Sequence, residues 1–146
     1  MIELIFVIVI LGILASVAVM KLNATREDAQ ISSISGRVSA ILGEISSHAV
    51  ASATLDGNVT HYSNIAQEMV ANGEATVENT ADTTRLKIRA GEVPECLVLK
   101  IIHSVTEENL SLEMNSDEND YVCRGVQRQL ADRNVTLRIR GRIAKY

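Results

Sequence analysis

The sequence predicts an α+β chain, with a long N-terminal helix packed on a four-stranded antiparallel sheet. Three observations carry that expectation. An uncharged apolar run, Leu4–Met20, opens the chain. Behind it, apolar residues recur at alternating spacings of three and four as far as Ala49, the period of one helix face. In the C-terminal half, four short stretches alternate apolar with polar residues, the period of a half-buried strand. The expected organisation is an apolar half of the helix at 1–24 and an amphipathic half at 25–53. A connecting region at 54–83 and a sheet-bearing head at 84–146 complete it.

Composition narrows the function classes. The 146 residues carry a net charge of −4, which argues against a general nucleic-acid binder. Aromatic residues make up 3% and Trp is absent, so the stacking platforms that hold single strands are missing. Hydrophobic residues reach 47% but are unevenly placed, the first 22 positions being nearly all apolar.

The run Leu4–Met20 has no charged residue and, at about 1.5 Å per residue, approaches the thickness of a bilayer core once Ile2 and Leu22 are included. A secretory signal would have a basic start and a shorter core, but Glu3 is acidic and the run is too long. A membrane anchor fits the length and the cationic stop at Lys21, but does not explain Glu3. A buried helix of a soluble domain does not suit so short a chain. Glu3 itself has two readings. One is a solvated helix N-terminus, where negative charge suits the macrodipole. The other is a registration device, pairing with the N-terminal amine at Met1 of a neighbouring subunit.

The stretch Met1-Ile2-Glu3-Leu4-Ile5-Phe6-Val7-Ile8-Val9-Ile10-Leu11-Gly12-Ile13-Leu14-Ala15 resembles the N-terminal signature of type IV pilins and the related pseudopilins. The match is ungapped over about the first seventh of the chain, because heads diverge widely in this family. The resemblance implies a ladle-shaped pilin fold. It makes Glu3 the filament-assembly glutamate and Gly12 the glycine of the hydrophobic segment. The leader and the usual Phe-Thr pair are missing, and the sequence is read as lacking its first residues. Many major pilins carry a proline just before a Lys-Leu pair. Here Met20 takes that place before Lys21-Leu22. Proline removes a backbone donor and clashes with the preceding turn, so its absence predicts a more continuous helix. Local melting would then rest on Gly12, Ser16, Val17 and Val19.

Asn23-Ala24-Thr25 reads as a local interruption, with Thr25 and Asp28 resembling a weak capping box. The stripe Ile31, Ile34, Val38, Ile41, Ile45 and Ala49 is expected to pack on the sheet. Gly36 and Gly43 cost about 1 kcal/mol each against Ala and are read as points of close approach. Asp56-Gly57-Asn58 reads as a turn, and Ile65–Ala71 as a short helix ended by Asn72-Gly73. Strands are expected at Thr84–Arg89, Cys96–Ile102, Leu110–Met114 and Val135–Arg140. Val98 and Ile102 suggest that the second is covered on both faces. Cys123–Leu130 reads as a helical turn. In an exported protein Cys96 and Cys123 are expected to form one disulfide, worth roughly 3–4 kcal/mol on the chain-entropy model. Two free thiols are the alternative. A bond would tie the second strand to the last connection, which resembles the disulfide-bounded region of many pilins.

No P-loop, dinucleotide-binding glycine pattern, HExxH or GxSxG is present, and no enzyme activity, metal or cofactor is expected. His48, His61 and His103 read as structural or exposed. The acidic run Asp117-Glu118-Asn119-Asp120 lacks the spacing of a calcium loop. Two surface features remain. Arg85, Lys87 and Arg89, with Arg138 and Arg140, would form one basic patch if their strands were neighbours. Its expected role is pairing with acidic loops of adjacent subunits at Glu107, Glu108, Glu113 and Asp117. Asn58, Asn109 and Asn134 begin Asn-x-Ser/Thr sites with an acidic residue two positions earlier; the site at Asn23 does not. These three are candidate glycosylation sites.

The resemblance implies a subunit that polymerises into a type IV pilus, or a pseudopilin of a type II secretion or DNA-uptake system. Its implied partners are identical subunits, a prepilin peptidase and the pilus assembly machinery. It would wait in the bacterial inner membrane and then emerge in a surface filament with a methylated N-terminus. Binding to DNA or a host surface has no support in the residues. A single-pass anchored binding module is the competing class.

Overall fold

The computed structural model describes residues 2–52, 55, 58–103, 107–115, 119–133 and 136–141, with backbone alone at 52, 107 and 137–141. A helix α1 occupies Ile2–Ser52. Two short helices follow, α2 at Val59–Tyr62 and α3 at Asn64–Ala71. Strands β1 (Ala75–Asn79), β2 (Thr83–Ala90), β3 (Val93–His103) and β4 (Glu107–Met114) come next. Helix α4 (Tyr121–Gln129) leads to strand β5 (Leu137–Gly141).

The sheet is antiparallel throughout, in the order β1-β2-β3-β4-β5. Its β2–β5 part is the expected four-stranded sheet. The added edge strand β1 lies in the connecting region, where Ala75, Val77 and Asn79 alternate too weakly to be read alone. Gly91, at φ 61°, makes the β2–β3 turn, and Gly73, at φ 73°, ends α3 in the left-handed conformation glycine favours.

Helix α1 does not break at Asn23-Ala24-Thr25, contrary to expectation. The Thr25 hydroxyl donates to the carbonyl of Lys21 at 2.6 Å, one turn back. Such back-bonding satisfies a hydroxyl inside a helix, so Thr25 does not act as a cap. Without proline at position 20 nothing removes a backbone donor, and α1 runs for 51 residues, about 75 Å at the usual rise.

The stripe behaves as its spacing requires. Ile31, Val38, Ile41, Ile45 and Ala49 are buried, with Ile34 packed at the margin. They meet Leu86 and Ile88 of β2, Leu97, Leu99 and Ile101 of β3, and Leu110 and Leu112 of β4 in one core. Val98 on the opposite sheet face is also buried, while Ile102 is half-buried.

The expected close approach at Gly36 and Gly43 is absent, since a Cβ on either would meet nothing within 4 Å. Among the helical glycines the tight one is Gly125, where a Cβ would run into Cδ1 of Ile31. Helix α4 therefore crosses α1 at Gly125, and Val122 and Val126 on either side enter the core. Gly125→Val should lower stability by about 1–3 kcal/mol through overpacking. Gly43→Ala should be neutral or raise it, by up to about 1 kcal/mol. Denaturant unfolding of both in detergent checks this, and equal effects would contradict the packing.

Candidate assembly site

From Ile2 to Gln30 no side chain is buried; Ile31 is the first. Leu4, Ile5, Phe6, Val7, Ile8, Val9, Ile10, Leu11, Ile13 and Leu14 are all at least 41% exposed. A monomer in water rarely exposes a contiguous apolar patch beyond a few hundred Å². Here every face of the helix is apolar from Leu4 to Met20, about five turns, so lipid or protein must cover it. By length and composition this half of α1 can cross a membrane.

The residues that the resemblance implies for assembly sit along this half. Glu3 is in the first turn, the one acidic residue there, where the helix dipole favours its charge. Met1 lies outside the described residues. Gly12 has open space around it, so it makes no close packing within one subunit. Met20 is 69% exposed and sits in unbroken helix.

The head is anchored to the helix at several points. Cys96 and Cys123 are bonded and fully buried, tying β3 to α4. Asp120 caps α4, accepting from the backbone N–H of Cys123 at 2.7 Å and from that of Glu92 at 3.0 Å. The Tyr121 hydroxyl donates to Asp28 on α1 at 3.2 Å, and that bond to the carboxylate holds the phenol pKa above its ordinary value. Ser35, buried on α1, donates to Oε1 of Gln129. Arg37 on α1 pairs with Glu74 just before β1.

The single basic patch does not form. Strands β3 and β4 separate β2 from β5, so Arg85, Lys87 and Arg89 are not beside Arg138 and Arg140. The β2 cations are also interleaved with acids of the same chain. Lys87 bridges Glu78 at 2.6 Å and Glu95 at 2.7 Å, which raises its pKa above the usual lysine value. Arg85 is opposite Glu78 in the β1–β2 register, and Lys100 pairs with Glu113 at 3.5 Å. Such exposed pairs contribute little stability, but they consume the charges that subunit pairing would use. Glu108 is not a loop residue either; it lies buried in β4.

Of the candidate glycan acceptors, Asn58 is half-buried, and its side chain accepts from the backbone N–H of Thr60 as the cap of α2. Asn109 lies within β4, and Asn134 is outside the described residues. His48 stacks at a tilt on Tyr62, with ring centroids 4.7 Å apart. In the acidic run Asp120 is occupied by capping, and Asp117 and Glu118 are outside the described residues.

Sequence reasoning put Glu108 in a loop and missed Gly125, Ser35 and the Tyr121–Asp28 contact. Two of them left a trace. Counting back by twos from Leu112 and Leu110 puts Glu108 on the apolar strand face. Gly125 sits inside the spacing Val122, Val126, Leu130, where a small residue suggests a crossing point.

Compared with protein-family models, curated proteins and solved structures, the chain matches none. Its long apolar N-terminal helix, antiparallel sheet and disulfide are compatible with a pilin-like fold.

Proposed function

We propose that the chain is a structural subunit that polymerises into a type IV pilus filament through its N-terminal helix. One observation carries the reading: the apolar run at 4–20 extends from a well-packed head with none of its side chains buried against the described residues. In a membrane, lipid covers them. In a filament, the same helices from many copies cover one another, so assembly trades lipid contact for helix packing and polar pairing. Glu3, the acidic residue of the apolar half, is the natural registration contact. The unbroken helix supports a shaft core that needs no melting at Met20. The head, tied by Cys96–Cys123 and by contacts from Asp28 and Arg37, forms the outer surface. The work of extraction belongs to the pilus assembly machinery.

The test is shearing of producing cells, followed by intact mass and N-terminal sequencing of the released protein. An abundant single species with a methylated N-terminus is expected. A deficit of about two daltons against the reduced chain marks the disulfide, and added mass marks glycans on Asn58, Asn109 or Asn134. Protein that stays in the membrane fraction, with nothing sheared off, would replace this reading with the pseudopilin or the monomeric anchor.

A further inference from the structure

The inner face of the sheet is apolar row after row until its end. Ile88, Leu97 and Met114 make one row, and Leu86, Leu99 and Leu112 the next. Thr84, Ile101 and Leu110 follow. The last row brings His103 directly opposite Glu108, on the face that carries Ile101 and Leu110. Glu108 is only 9% exposed. Among the described residues its Oε1 has one long contact, 3.5 Å from the backbone N–H of Leu55, and its Oε2 is buried with no hydrogen-bond partner. The Nε2 atom of His103 is buried and unpartnered in the same way.

Both residues line a pocket of about 450 Å³, with Asn58, Asn79, Thr80 and Thr84 among its other walls. That is room for a solute rather than a single water, whose share of the liquid is about 30 Å³. A buried carboxylate is strongly unfavourable unless a cation or several donors reach it. No described cation lines the pocket. Lys87 and Lys100 are engaged by Glu78, Glu95 and Glu113. A metal ion fits less well, because no three His, Cys, Asp or Glu side chains gather among the described residues.

We infer that this pocket receives a cationic N–H group, an alkylammonium or guanidinium, that donates to Oε2 of Glu108 and to Nε2 of His103. Two sources supply that chemistry: a free small amine, or a lysine or arginine of a second copy of the chain. The second source rests on the filament reading, and the pocket itself does not.

The experiment uses the full chain, labelled with nitrogen-15, in detergent micelles. Butylammonium and ethylguanidinium are titrated at constant ionic strength while the His103 imidazole and Leu55 amide signals are followed. Tetramethylammonium, a cation with no N–H donor, is the control. Expected are saturable shifts with the two donors, none with the control, and affinity about tenfold or more weaker in Glu108→Gln. That variant keeps the side chain's size and removes its charge; circular dichroism checks that it folds. If only a second copy fills the pocket, the same signals shift on filament assembly instead, and Glu108→Gln removes the shift. Responses that never saturate, or that Glu108→Gln leaves unchanged, together with no shift on assembly, would overturn the proposal. The pocket would then hold water alone. Failure to form filaments would count against the filament reading alone, since the micelle titration still decides the pocket.

Discussion

Glu3→Ala is expected to abolish surface filaments while leaving membrane insertion intact. The apolar half of α1 remains long enough to span a bilayer without Glu3, so extraction by alkaline carbonate should leave the variant in the membrane fraction. Removing a carboxylate from an apolar helix lowers the cost of insertion, because charge in lipid is unfavourable by about 3 kcal/mol even on the gentler scales. Assembly is different. On the proposed filament reading, a charge-assisted bond between Glu3 and a neighbour's terminal amine would be worth about 1.5–3 kcal/mol, or roughly 10- to 150-fold in the equilibrium for adding each subunit. Loss at every addition multiplies along a polymer, so filament yield should collapse. The measurement is immunoblotting of sheared and membrane fractions from the same cells. Normal sheared yield from Glu3→Ala would remove the assembly role of this residue.

The second large effect concerns the head. Replacing both Cys96 and Cys123 with serine should lower its stability by about 3–4 kcal/mol on the chain-entropy model for a loop of this size. The bond spans a sequence separation of 27 and joins the middle strand β3 to α4. Helix α4 has nine residues, and helices this short are marginal without tertiary contacts. Its other attachments include the Asp120 cap, the crossing at Gly125, the Tyr121–Asp28 and Ser35–Gln129 bonds to α1, and Gln127, which donates to the backbone carbonyls of Cys96 and Asn115. The serine variant also leaves two hydroxyls where fully buried sulfurs stood. Urea unfolding in detergent should show a midpoint lower by about 1–3 M, given the usual dependence on denaturant. The central pairing of β2, β3 and β4 should outlast α4, since its apolar rows do not need the bond. A loss below about 1 kcal/mol would mean that the contacts of α4 hold it without the covalent tie.

Local periodicity accounts for what was legible beforehand. The stripe from Ile31 to Ala49 and the alternation of Leu86 with Ile88, or Leu110 with Leu112, depend only on repeat lengths of α and β backbone. Asn72-Gly73 ends α3 through local hydrogen bonding and a positive φ, chemistry that three or four neighbouring residues specify. Pairing across distance is another matter. Whether β2 and β5 touch depends on strand order, and both carry the same alternating basic pattern whatever their neighbours. Thr25 could serve as a cap or bond back to Lys21; uninterrupted helix on both sides selected the second.

The order of residues alone sets the uncharged run Leu4–Met20 with the acid Glu3 before it, the amphipathic stripe behind it and the strand stretches of the head. These follow from the order of side chains along one chain, because burial must match the period of the backbone. Only the tertiary structure decided which glycine is a contact, that Lys87 is held by Glu78 and Glu95, and that Glu108 and His103 face one pocket. Those depend on distances between residues far apart in sequence, which packing sets and no local pattern encodes.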